Sequence, residues 1–225
     1  MRGLGQRALR ALLTGGALLL CATWLGGCAI AELAGGMAES YKRSSTHEVK
    51  ADYTGLTGKT FAVVVSVDRV VLSERPELAG SLIVAISERL KENTGASGYV
   101  QPLRVIEFMS TNPRWAIMTP ADLMKEFGVD RLIYVEVLDF RLHEPGNRYL
   151  WDGLASATMG VLEAESGLAD EYAFRRQVSV AFPDQKGITP TDLTENVVAT
   201  RLQTRLVDRI VWVFYDHQEP YYPTY

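Results

Sequence analysis

Cysteine is almost missing from this chain of 225 residues: there are two, Cys21 and Cys28, and none after position 28. Everything beyond that point is therefore without a disulfide framework, a thiol nucleophile or a cysteine-based metal site. Histidine is nearly as scarce. His47, His143 and His217 are far apart, and none has a second histidine at ligand spacing, so each reads as a surface residue. No Gly-x-Ser-x-Gly elbow occurs. Gly58-Lys59-Thr60 imitates the end of a phosphate-binding loop, but Tyr53 stands where that motif needs its first glycine, and the segment leads into a strand rather than a helix. Asp139, Arg141 and His143 would share one strand face, with Glu144 beside them. Catalysis there would need a serine from elsewhere, and the reading is a polar strand face. Excess basic charge is also missing, with 23 Lys and Arg against 27 Asp and Glu, so no nucleic-acid surface is indicated. The expectation is a chain that is not an enzyme and takes no cofactor, metal, nucleotide or nucleic acid.

Long apolar runs are missing too, except at the start. Met1–Arg10 carries three arginines and no acid, and Ala11–Trp24 follows as a short apolar stretch. That order is the pattern of an export signal, and the stretch falls short of the roughly 20 residues a membrane-spanning helix needs. Leu25-Gly26-Gly27-Cys28 comes next. It resembles the lipobox of bacterial lipoproteins, which implies cleavage before Cys28 and lipid on its side chain and amino group. Leu20 before Cys21 is too bulky for such a cleavage position. Several acyl chains on one residue give stable anchoring where a single chain is marginal. Loss of Arg2, Arg7 and Arg10 leaves 20 basic against 27 acidic residues, a net charge of −7. Ala29 is not the aspartate that retains lipoproteins at the inner membrane in some bacteria, so the resemblance points to the outer membrane.

Four segments are expected: signal peptide 1–27, lipidated Cys28 with a flexible tether to 57, a single α/β domain over 58–216, and a Pro/Tyr-rich tail over 217–225. The tether holds Gly35-Gly36 and little periodicity, and residues 29–57 are expected to be dispensable for folding. Phe61–Val67 is a continuous apolar run, suited to a strand covered on both faces. Leu78, Leu82, Ile83, Ile86 and Leu90 then recur at helical spacing and stop at Gly95. Tyr99–Ile106 reads as an edge strand, with Pro102 an irregularity. Thr119-Pro120-Ala121-Asp122 opens a short helix that ends at Gly128. Arg131–Leu142 is a strand, Glu144–Asn147 a turn, and Leu150–Leu162 and Tyr172–Phe182 are two further strands with a solvated, charged tip between them. A long helix opens at Thr189 to Thr191 and runs to about Tyr215, with Leu202, Leu206 and Ile210 on one stripe. The fold class is α/β, an α+β sandwich: a mixed sheet of about five strands, two or three helices, and the final helix packed on the sheet over the Phe61 and Tyr134 strands.

Lys59-Thr60-Phe61-Ala62-Val63-Val64-Val65, the helix of Ile83–Leu90, and Phe127-Gly128-Val129-Asp130 leading into Leu132-Ile133-Tyr134-Val135-Glu136-Val137 resemble the TolB amino-terminal type of α/β domain. The curli-secretion lipoprotein CsgG and the penicillin-binding-protein activator LpoB share that type. The resemblance spans residues 58–215 and implies a non-catalytic envelope protein that acts by contact.

Two candidate contact surfaces follow from residue type. Arg114 and Trp115 stand together in a loop, and both types are enriched at binding hot spots. Tyr221 and Tyr222 lie on the Pro-rich tail, which proline keeps extended. The leading expectation is a membrane-anchored scaffold or adaptor that meets envelope proteins or its own copies. The alternative is an auxiliary subunit of an envelope transport or secretion system with a pocket for a small apolar or lipid ligand. A third reading, an unrecognised hydrolase, would rest on Asp139, His143 and Glu144. The anchor is directly testable. Cys28→Ser should leave an uncleaved or soluble product and abolish labelling by a fatty-acid analogue, whereas undiminished labelling would refute lipidation at Cys28.

Overall fold

A computed structural model describes residues 45–166 and 171–220. The signal segment, Cys28, Tyr221 and Tyr222 lie outside the described residues. The described chain falls into two units. The smaller holds residues 45–47 and 218–220, in the region where strands β1 (Thr46–Val49) and β7 (His217–Pro220) pair as a two-stranded sheet. The larger unit, Glu48 to His217, carries the five-stranded sheet and all the helices described here.

The sheet is built outward from β2 (Thr60–Val67), whose Phe61, Ala62, Val63, Val64 and Val65 are all completely buried. That is the two-sided burial expected of an unbroken apolar run. β2 pairs in parallel with both β3 (Gly98–Tyr99) and β4 (Arg131–Arg141). β4 continues antiparallel to β5 (Gly153–Glu163), which pairs with β6 (Phe174–Phe182). The order is β3-β2-β4-β5-β6, with β6 as an edge.

Parallel neighbours require crossovers, and the helices supply them. Helices α1 (Arg69–Glu74) and α2 (Leu78–Asn93) join β2 to β3. Between β3 and β4 lie α3 (Pro102–Thr111), a 3-10 turn at Pro113–Ile117, and α4 (Pro120–Phe127). After the hairpin comes α5 (Glu195–Val211). α2 and α5 lie side by side, tied by Arg89–Asp208 at 2.8 Å and by Gln203 donating to Ser81 at 3.1 Å. α5 covers chiefly β5 and β6, and α2 covers β2. The final helix thus packs on the sheet but over the hairpin rather than over the Phe61 and Tyr134 strands. α4 has the ends its sequence announces: Thr119 accepts from the Asp122 N–H, and Gly128 closes the helix in the left-handed region at φ +64°.

Three further sequence expectations change. Of the stretch Tyr99–Ile106 assigned to an edge strand, only Tyr99 lies in one, the short strand Gly98–Tyr99. Pro102 sits at the first helical position of α3, where its fixed φ suits the helix and its missing N–H costs nothing. Thr189 and Asp192 close a turn through their side chains, so α5 begins only at Glu195, with Thr194 at its N-cap. Residues 48–57 are not tether. Leu56 is 1% exposed in the core, and the Tyr53 hydroxyl donates to Glu163 at 2.7 Å while its ring meets Phe174 and Phe214.

Leu206, completely buried on α5, measures the grip of this helix on the sheet. Leu206→Ala should lower unfolding free energy by about 2–5 kcal/mol. Gln203→Ala should cost about 1 kcal/mol or less, the worth of one half-buried hydrogen bond. Equal effects in chemical denaturation would refute the packing described.

Candidate functional site

β2 and β4 run side by side to the carboxyl end of β2, where Val67 pairs with Val137, and β4 continues to Arg141. There the chain leaves β2 abruptly. The Asp68 N–H still bonds the Val137 carbonyl at 3.0 Å, while the Asp68 carboxylate accepts from the Val70 N–H at 2.8 Å and starts α1. This turn swings α1 away from the sheet and opens a groove of about 1010 Å³. Its walls come from five directions: Val67 and Val137 from the strands, Val70 and Leu72 from α1, Gly80 and Ile83 from α2, Ile106 and Met109 from α3, and Trp115 from the 3-10 turn. A Cβ on Gly80 would stand 3.6 Å from Ile106, so the missing side chain helps keep the floor open. The lining is mainly apolar, and its rim leaves aliphatics in water: Val70 is 67% exposed, Leu138 44% and Leu72 41%. A crevice outside the carboxyl ends of parallel strands is where open α/β sheets bind their ligands.

Of the residues chosen by type, Trp115 lines this groove while also packing against the core. Arg114 is exposed and does not line it. The other aliphatics of the rim carried no signal in the sequence. Asp139, Arg141, His143 and Glu144 line a second, polar hollow of about 700 Å³. Arg141 pairs with Asp139; His143 stacks on Trp151 with ring centroids 4.3 Å apart, and its Nδ1 lies 2.8 Å from the Leu150 carbonyl. Arg75 binds Glu195 at 2.8 Å and lies over the Phe140 ring. Among the described residues, the lining of the hollow holds no hydroxyl or thiol side chain.

No family model and no curated protein matches the sequence. The chain is similar to lipoprotein GNA1162 from Neisseria meningitidis, with 13% identity over 67% of this chain and 96% of that one, TM-score 0.43. It is similar to the PelC L103M dodecamer from Paraburkholderia phytofirmans at 11% identity, over 75% and 95% of the two chains, TM-score 0.40. A putative lipoprotein from Caulobacter crescentus CB15 matches at 10% identity over 67% and 78%, TM-score 0.31. Lipoproteins thus stand among the similar structures, and none of these three is TolB, CsgG or LpoB. Among the described residues no helix is long and apolar enough to cross a membrane.

At the opposite ends of β2 and β4 the polar groups are bound to one another. The Asp130 carboxylate accepts from the Thr60 N–H at 2.9 Å and from the Thr60 hydroxyl at 2.8 Å, and that hydroxyl accepts from the Asp130 N–H at 3.0 Å. Arg131, with its side chain 7% exposed, donates to the Gly55 carbonyl at 3.1 Å and the Asp130 carbonyl at 2.8 Å, and binds Glu165. Arg131 and then Lys59 draw the Glu165 carboxyl down to about 2. Glu163 and Glu165, expected at a solvated tip, therefore serve this network. The Thr60 backbone N–H, then its hydroxyl, hold Asp130 below the usual carboxylate range. A lowered folded-state value means that the stabilisation is present above the ordinary pKa of about 4 and is lost as pH falls through the lowered value. Asp130→Asn should remove about 1–3 kcal/mol at neutral pH and make the acid loss of stability shallower. Urea titrations at several pH values that showed the same slope in both proteins would contradict this role.

Proposed function

We propose that this chain is a lipid-anchored protein of the bacterial cell envelope, non-catalytic, and that it works by contact, with the groove at the carboxyl ends of β2 and β4 as its docking surface. The observation that carries the reading is the exposure of Val70, Leu72 and Leu138 around an apolar groove about 1010 Å³ in volume. Leaving such aliphatics in water is unfavourable, and contiguous apolar patches mark interaction sites. The lipobox-like Leu25-Gly26-Gly27-Cys28 supports the anchor, and Ala29 the outer membrane. The opening strand and the Gly128-Val129-Asp130 approach to β4 support a finer placement with the TolB amino-terminal type.

A second reading has one observation in its favour. The groove lies at the top of the roughly 300–1,000 Å³ range of small-molecule sites, so an apolar or lipid ligand would fit. A photo-cross-linking residue at Leu138, against a control at exposed Gln177, separates the two in intact envelopes. The contact reading expects protein adducts from position 138 and not from 177. Lipid adducts alone would favour the ligand, and equal or absent protein adducts would overturn the docking surface.

A further inference from the structure

We infer that the groove takes an amphipathic helix of a partner protein, one whose apolar stripe is flanked by lysine or arginine; this rests on the contact reading above.

Backbone chemistry selects the helix. β2 and β4 are interior strands, paired on both edges, so they offer an incoming segment no free ladder. An extended peptide pressed into apolar walls would leave its own N–H and C=O groups unsatisfied, whereas a helix bonds them internally. Size agrees: three turns of helix, about 16 Å long and 10 Å wide, sweep out a volume of the order of the groove's 1010 Å³.

Charge selects the flanks. Asp68, Glu77 and Glu136 border the groove, and Arg69 is the one base among its lining residues. Neither Glu77 nor Glu136 has an ion-pair partner among the described residues, so both carboxylates remain available to an incoming cation. The same carboxylates repel an anionic phospholipid headgroup, and an uncharged acyl chain makes no use of them. The rim aliphatics face the open side, where a broad apolar stripe covers them as a single chain lying deep in the groove would not.

The experiment uses the mature full-length chain in a neutral detergent, with fluorescent 16-residue peptides. Both peptides carry the same leucine stripe at helical spacing; one has lysine flanks and the other glutamate flanks. The lysine peptide should bind about tenfold tighter at low salt, with the gap shrinking as salt rises. Glu77→Gln with Glu136→Gln should narrow the preference, while Val70→Asp with Leu138→Asp, both at exposed positions, should abolish binding of either peptide. Equal binding of the two peptides would refute the basic flanks and leave the contact reading standing. Undiminished binding to the Val70/Leu138 variant would place the peptide elsewhere and overturn the inference. If neither peptide binds while cross-links at position 138 persist, the occupant is not a helix; if both fail, the contact reading falls with it.

Discussion

The structure depends on one parallel pairing, β2 with β4, whose register is fixed between Thr60 and Asp130. The two residues are 70 positions apart, and three hydrogen bonds join them in both directions. A one-residue slip would turn every side chain of the slipped strand to the other face. Because the pair is parallel, the chain must leave the sheet and return between them, and α1 to α4 are that return. Burial of Arg131 beside Asp130 follows from the same join. The guanidinium is tolerable there only because carbonyls and carboxylates surround it.

The two ends of this pair are chemically opposite. At the amino end, polar side chains find one another and little is left for a ligand. At the carboxyl end, Asp68 spends its carboxylate on capping α1, and what remains is aliphatic surface partly in water. Fully buried strands make a stiff floor, and a short helix such as α1 makes a softer wall with few buried contacts: of its residues only Val71 is buried. A stiff floor with an adaptable rim suits a surface that accepts another protein. β6 is also an exposed edge, and its Arg175, Arg176 and Gln177 resist pairing with further strands.

Much of this was legible in the sequence because the relevant signals are local. The apolar run of β2, the Thr119-Pro120 start and Gly128 end of α4, and the stripe of α5 each declare themselves within a few residues. Pro102 misled because proline is compatible with a strand edge and with a helix start, and only the residues after it decide. Leu56 and Tyr53 carry no period, and Tyr53 is held by partners more than 100 positions away, Glu163 and Phe174. The groove could not be read because it gathers residues from six elements. Trp115 was picked out by type, whereas Val70, Leu72 and Leu138 look like ordinary members of apolar segments until the fold leaves them uncovered. His143 drew notice as chemistry, and the structure gives it a stacking partner instead.

On the proposed contact reading, a rigid β2–β4 floor carries a rim that is covered when the protein is in the cell envelope. Amide hydrogen exchange of the protein, compared between native envelope membranes and the purified state in detergent, distinguishes a covered rim from an uncovered one. Exchange through Phe61–Val65 should be equally slow in both settings, with Asp68–Glu74 and Met109–Ala116 slowed only in the envelope. Identical rim rates in the two settings, or new protection confined to the β6 edge, would contradict it.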